Sequence, residues 1–281
     1  MDKPKISVSI TTYNSQDTIE ETLDSVANQT FKEFEIVLSD DGSKDNTVIV
    51  VNKWKEKHPD IFMTVVAKPK NEGTVRNMNT TFKLARANLI KDIAGDDILL
   101  PNALEAFYQA YLDNPNVIWH CVPEYVGADA STIESIEKGF DEKRSFFKKT
   151  AWQQHSIFLT TNPITAIAIG LIPKSVCEQV GYFDTKYTLM EDYPFFEKIS
   201  KNGIRYELLD QKLCQYRIRE GSVTQSCNLV YEKDKVKHFF TELFPQLLKA
   251  NRKGDASNYA KYYLRKYKEA KKLARKLKKQ A

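Results

Sequence analysis

Four short stretches of the 281-residue chain gather side chains able to do chemistry. In "IKDIAGDDILLPNAL" (90–104), a short apolar strand runs into adjacent Asp96 and Asp97. Two carboxylates side by side repel, so such a pair needs open water or a cation, and a hard divalent ion takes carboxylates together with phosphates. A solvated turn ahead of a helix opened by Pro101 is the plain alternative. In "SDDGSKDNT" (39–47), Asp40 and Asp41 end a strand before a Gly42–Ser43 turn. A carboxylate there can accept hydrogen bonds from the imide or ribose of a nucleotide, while a turn with Asp45 or Ser43 capping the next helix accounts for it equally. In "KPKNEGTVRNMN" (68–79), Arg76 opens a helix, where its fork and the helix dipole suit phosphate; a plain surface arginine is as good a reading. In "LMEDYPFFEK" (189–198), Glu191 and Asp192 stand at a helix start, either as helix-dipole charges or as a general base toward a hydroxyl.

Other chemistries find no pattern here. There is no G-x-x-x-x-G-K-[ST], no G-x-G-x-x-G, no G-x-S-x-G elbow and no H-E-x-x-H pair. His58, His120, His155 and His238 fall in unrelated contexts, and none is given a role.

The elements that must position these residues alternate along the first half. "KISVSITTYN", "FEIVLSD", "IFMTVVAK" and "NLIKDIAG" read as strands. Between and after them "SQDTIEETLDSVANQ", "DNTVIVVNKWKEK", "TVRNMNTTFKLARA" and "PNALEAFYQAYLDN" read as helices, the first with Ser15 or Asp17 as N-cap. This alternation predicts βαβ units and a mostly parallel sheet, an α/β fold whose ligands sit beyond the carboxyl ends of the strands. "TTYN", "SDDGS" and "GDD" all fall at such ends. Beyond residue 116, "VIWHCV" and "TAIAIGLIP" read as strands, 124–160 as a polar, irregular and mobile stretch, "KSVCEQVG" and "MEDYPFFEKISKNG" as helices. "RYELLD" and "CQYRIR" read as two strands, and 230–281 as mostly helical.

A hydrophobic fraction of 42% and a charged fraction of 28% are ordinary for a soluble globular chain. No run approaches the ~18 apolar residues of a membrane span, and the N-terminus lacks the layout of a secretory signal. Cys121, Cys177, Cys214 and Cys227 are widely spaced, as buried thiols in a reducing compartment are, so a cytoplasmic location is expected. The net charge of +5 is uneven: residues 259–281 hold ten Lys or Arg and one acid, leaving the rest mildly acidic. Tyr263, Tyr267, Ala270, Ala274 and Leu277 mark one helical face of that tail. Such a helix suits an anionic membrane surface on the inner face of the cytoplasmic membrane; packing on its own domain or a short coiled-coil contact are the alternatives. Charge alone does not call for nucleic acid, and none is expected.

Taken together, "ITTYN", "SDDGSKDNT", "NEGTVRN", "AGDDILLPN" and "GYFDTKYTLMEDYPFF" resemble, in order and spacing, the inverting nucleotide-sugar glycosyltransferases of family two, and "QYRIREGSVT" resembles that family's last strand. The resemblance spans about residues 5–225. It implies a GT-A fold, with residues 1–225 as the catalytic domain and 226–281 as a C-terminal helical region. It also implies transfer of a hexose or N-acetylhexosamine, from UDP by family habit, to a glycan or lipid-linked acceptor, as in O-antigen, capsule or lipooligosaccharide assembly. Under it, Thr11 and Tyr13 line the uracil pocket, Asp41 meets the uracil edge, and Arg76 sits near base and phosphate. Asp96 contacts ribose or sugar, Asp97 holds Mn²⁺ or Mg²⁺ on the diphosphate, Asp192 is the base, and Glu191 supports it or meets the acceptor. Many relatives carry a further acid where Ala94 stands, so which aspartate takes the metal stays open. Nucleotidyl transfer and a non-catalytic nucleotide- or glycan-binding role are the competing readings.

Overall fold

The computed structural model describes residues 3–164, 166–218 and 228–280, apart from the side chains of Ile167 and of residues 277–280. Arg219–Thr224 of "QYRIREGSVT", Cys227 and Thr165 therefore lie outside the described residues.

The first half folds as its alternation requires. Strand β1 (Ile6–Thr12) leads to helix α1 (Ile19–Ala27), β2 (Phe34–Asp40) to α2 (Thr47–Lys57), and β3 (Met63–Ala67) to α3 (Thr74–Leu84). These are followed by β4 (Leu89–Ala94), the short β5 (Ile98–Leu99) and α4 (Ala103–Asp113). β1 pairs in parallel with β2 and β4, and β2 with β3. β1, β2 and β4 are buried nearly throughout, which is why their β-branched residues run on without alternation. On α1, Ile19, Leu23 and Val26 turn one face into the core, as their helical spacing predicts. Its start differs from expectation: the Ser15 carbonyl accepts the N–H groups of Thr18 and Ile19, and neither Ser15 nor Asp17 caps with its side chain.

The second half continues with β6 (Val117–Val126), α5 (Ala130–Phe147), α6 (Ala151–Phe158), β7 (Gly170–Pro173), α7 (Lys174–Val180), α8 (Asp192–Lys201) and β8 (Arg205–Arg217). The stretch 124–160, read as irregular, is instead the end of β6 and two helices. Phe140, Phe146, Phe147 and Phe158 anchor them in the core, and Thr150 and Gln153 form a capping box on α6. The expected strand over "TAIAIGLIP" shrinks to β7, behind a 3₁₀ turn at Ile167–Ile169. "RYELLD" and "CQYRIR" are one strand, because a bulge opposite Cys121–Pro123 carries β8 past its exposed Asp210–Lys212.

The eight strands form one sheet in the order β3-β2-β1-β4-β7-β6-β8-β5, with β7 antiparallel to both neighbours and β6 parallel to β8. The C-terminal helices α9 (Leu229–His238), α10 (Phe244–Lys249) and α11 (Lys253–Gln280) follow, with a π-helical turn at Phe239–Leu243 joining the first two. Phe239, Leu243, Leu247, Ala256 and Tyr263 enter the same buried cluster as Phe82, Phe183 and Phe195. Among the described residues, no helix is long and apolar enough to cross a membrane.

Candidate active site

The carboxyl ends of β1, β2 and β4 open into a cavity of about 510 Å³. Thr11, Tyr13, Asp41, Asn71, Asn77 and Asp96 line it, and Leu189 and Asn228 close it from the C-terminal half. A second cavity, of about 470 Å³, lies at the opposite ends of the strands around Lys32, Phe34 and Phe62. Its buried carboxylate, Glu35, is already tied to Arg86 and Ser7. Parallel sheets place their ligands at the carboxyl ends, which selects the first cavity.

The "SDDGS" stretch divides its labour. Asp40 turns away and accepts the backbone N–H of Ser43 at 2.8 Å, while Asp45 accepts the N–H of Thr47 at the start of α2. Asp41 faces the cavity, its two oxygens accepting the N–H groups of Glu72 (3.0 Å) and Gly73 (2.9 Å), with the Lys68 ammonium at 3.5 Å. A carboxylate has about four lone-pair sites, so each oxygen keeps one for a ligand. Gly73 makes this turn possible: its φ is +93°, and a Cβ there would stand 2.9 Å from the Thr188 carbonyl oxygen. Arg76, by contrast, lies exposed one turn into α3 and is not on the cavity wall.

The "GDD" turn is fastened from three sides. Gly95 donates its N–H to the Thr11 carbonyl, and the hydroxyls of Thr18 and Thr22 donate to the carbonyls of Gly95 and Asp97. From β8, Arg217 donates its backbone N–H to Asp97 Oδ1 (2.8 Å), its Nε to the Asp96 carbonyl (2.9 Å) and its Nη2 to Glu21 (2.7 Å). Asp96 lines the cavity. Asp97, given the cation by the family likeness, does not; it lies beneath, 3% exposed. Burial pushes its carboxyl well up, the neighbouring Asp96 charge adds to that, and the Arg217 N–H opposes it. Beneath the turn, fully buried Lys91 donates to the Asp92 carbonyl at 2.7 Å and to the Ala168 carbonyl.

Glu191 and Asp192 start α8, half-buried. The loop before them is held by Asp234 of α9, whose Oδ2 accepts the N–H groups of Thr188 (2.7 Å) and Leu189 (2.9 Å). Burial raises the Glu191 carboxyl to about 7, and the charges of Asp92 and Asp234 push the same way. Tyr216, next to Arg217, ties the two acidic pairs together. Its phenol is raised first by burial and then by the charges of Asp97, Asp192 and Asp96. Asp96, Asp97 and Asp192 thus lie close enough to act on one phenol, although neither Glu191 nor Asp192 is on the cavity wall.

Among the described residues, no three His, Cys, Asp or Glu side chains are placed to hold a metal by themselves. One cavity-facing carboxylate, backed by a second that is buried beside it, fits instead a hard cation that completes its shell with substrate phosphates. Arg217, Tyr216, Asn71, Asn77, Asn228 and Asp234 were not singled out by sequence reasoning. Backbone donors and amide side chains carry no signature, and only the "QYRIR" resemblance pointed near the first two.

A family model described as Glycosyl transferase family 2 matches residues 7–170, which covers β1 to the start of β7. Chondroitin synthase of Pasteurella multocida is 27% identical over 237 residues, 84% of this chain, although this chain spans only 22% of that protein's length. An uncharacterised glycosyltransferase of Methanocaldococcus jannaschii is 25% identical over 225 residues, 78% of this chain and 72% of its own. Among solved structures, S. aureus TarS 1-349 in complex with UDP-GlcNAc aligns with a TM-score of 0.62 and 21% identity, over 94% of this chain and 81% of its own. The mannosyltransferase PcManGT from Pyrobaculum calidifontis, in complex with GDP-Man and Mn²⁺, aligns with a TM-score of 0.64 and 20% identity, over 96% of this chain and 74% of its own. At these identities the structural likeness speaks for the fold alone, the GT-A fold. With the family match over more than half of its length, the chain belongs to glycosyl transferase family 2.

Proposed function

We propose that this chain is a hexosyltransferase that moves a sugar from a UDP-sugar to a hydroxyl of a glycan acceptor, with inversion at the anomeric carbon. The observation carrying this reading is the convergence of Asp41 and Asp96 on one strand-end cavity; the nearness of Asp192 to the same Tyr216 phenol as Asp96 and Asp97 supports it. TarS holding UDP-GlcNAc, PcManGT holding GDP-Man, and a glycan-polymer synthase among the relatives support the donor and acceptor classes.

Asp41 uses its remaining lone pairs on the nucleotide base, and Tyr13, at the rim with 46% of its surface exposed, offers a ring face to it. Asp96, rather than Asp97, faces the diphosphate; Asp97 holds the turn beneath through Arg217. Asp96 would hold a Mn²⁺ or Mg²⁺ ion there, which when bound would supply charge stabilisation to the departing diphosphate. Asp192 takes the acceptor's hydroxyl proton as the oxygen attacks the anomeric carbon. The new C–O bond forms as the bond to the diphosphate breaks, and the nucleoside diphosphate leaves with the electron pair. Glu191, its carboxyl raised to about 7, carries a proton over part of the neutral range and orients its neighbour or the acceptor by donating it. A lipid-linked acceptor in capsule, O-antigen or lipooligosaccharide assembly, met in the cytoplasm, fits this chemistry.

The test is nucleotide release from UDP-Glc, UDP-Gal, UDP-GlcNAc, UDP-GalNAc and GDP-Man, each with Mn²⁺ or EDTA. Metal-dependent release from one UDP-sugar is expected. Silence with all five donors, together with no thermal shift by UDP, contradicts the reading.

A further inference from the structure

The helical face formed by Tyr263 and Ala270, the stripe that sequence alone offered to a bilayer, is buried against the domain. That turns the cations of α11 outward. Lys268, Lys271, Lys272, Arg275 and Lys276 fall at i, i+3, i+4, i+7 and i+8, all exposed. The one acid of this segment, Glu269, pairs with Arg265 and Lys266 at 3.8 and 3.6 Å. No carboxylate among the described residues pairs with the other five cations.

The register of α11 fixes where this face lies. α9, the π turn and α10 form a continuous helical run from Leu229 to Lys249, and α11 begins at Lys253 after a short turn. Two helices so joined run antiparallel. The rings of Phe239, ten residues before Lys249, and Tyr263, ten after Lys253, meet at 4.9 Å. Carrying that pairing eleven residues further brings Ala274 level with Asn228, which caps α9 and lines the donor cavity. The stretch of α11 that carries the basic face therefore runs alongside the start of α9, whose cap Asn228 lines the cavity.

We infer that this face docks the protein onto an anionic lipid bilayer, holding the cavity close to the membrane surface. Charge complementarity argues for a polyanionic partner, since each unpaired cation is attracted to an anionic leaflet. An exposed apolar side chain on the same face favours lipid over a soluble polyanion. Leu264, 42% exposed, lies on the helix face of Lys268, Lys271 and Arg275, where headgroup insertion removes it from water. A hydrated glycan or nucleic acid gives leucine no such gain.

The experiment is flotation of the full chain with phosphatidylcholine vesicles, with and without about 30 mol % phosphatidylglycerol. Binding to the anionic vesicles only is expected, weakened by salt at about 0.5 M. Lys268→Gln, Lys271→Gln, Lys272→Gln, Arg275→Gln and Lys276→Gln together should lower the vesicle-bound fraction about tenfold or more, with the thermal midpoint unchanged. Leu264→Ser should weaken vesicle binding while leaving retention on heparin as it was. Equal binding to neutral vesicles, no binding to anionic ones, or undiminished binding by the Gln variant overturns the inference. So does heparin retention without any vesicle binding, which would assign the face to a soluble polyanion. None of these readouts depends on sugar transfer, so they stand or fall apart from the proposed reaction.

Discussion

Arg217 donates its backbone N–H to Asp97 Oδ1 at 2.8 Å from 120 residues further along the chain. The end of β8 thus holds the acidic turn that follows β4. The Arg217 side chain completes the strap on the Asp96 carbonyl and on Glu21 of α1. The turn that presents Asp96 to the cavity is therefore set by an element from the other half of the sheet.

Arg217→Ala keeps the N–H but removes both side-chain contacts. The Glu21 pair is partly exposed and worth little, so the expected loss of stability is about 1 kcal/mol. Turnover should suffer more, because Asp96 loses its support. Urea unfolding alongside donor turnover checks this: a fall in kcat/KM of about tenfold with a small shift in midpoint is expected. Arg217→Lys should not restore it, since the single ammonium lacks the fixed fork whose Nε and Nη2 reach the Asp96 carbonyl and Glu21 from separate positions.

Gly73→Ala tests the Asp41 turn. With φ at +93° and a Cβ 2.9 Å from the Thr188 carbonyl oxygen, the substitution costs about 1–3 kcal/mol and shifts the N–H that Asp41 accepts. UDP binding by calorimetry should weaken. A variant as stable as wild type, with unaltered UDP affinity, would show that the turn tolerates the methyl.

Glu191 makes stability depend on pH. Its folded value of about 7 lies above the ordinary carboxyl range, so between the two the native state binds more protons than the unfolded state. Its contribution is present at low pH and is lost as pH rises through about 7. Urea midpoints compared between about pH 5 and pH 8 should fall with rising pH in wild type, and Glu191→Gln should remove part of that fall. Identical slopes in the two proteins contradict this.

Asp96 and Asp97 should separate in a metal titration. Asp96→Asn is expected to weaken the dependence of turnover on Mn²⁺ and to lower transfer by ~10²-fold or more. Asp97→Asn removes a buried carboxyl whose charge is disfavoured, so it should keep more transfer and unfold at higher urea above neutral pH. The reverse order of effects would return the cation to Asp97.

The first half of the fold was legible because β1, β2 and β4 are buried nearly throughout and its strands alternate with helices. β1, β2, β4, α1 and α3 fall where their periods put them. The region around α5 was not, because most of its turns are polar and its core contacts reduce to three phenylalanines, Phe140, Phe146 and Phe147. β8 looked like two strands because its bulge exposes Asp210, Gln211 and Lys212. At the site, strand-end position picked out "TTYN", "SDDGS" and "GDD", and the family resemblance singled out Thr11, Tyr13, Asp41 and Asp96 within them, which share the cavity wall. Spacing could not tell which of Asp96 and Asp97 faces inward, nor that Arg76 points to solvent from α3. Those facts depend on contacts from β8 and on helix rotation, which no local pattern encodes.

The most direct test of the account is Asp192→Asn, measured for donor binding and for transfer in the same preparation. If Asp192 takes the acceptor's proton, UDP-sugar binding is retained and transfer falls ~10²–10⁴-fold, the range for loss of a general base. Transfer at the wild-type rate, with binding intact, would remove Asp192 from the reaction and contradict the mechanism.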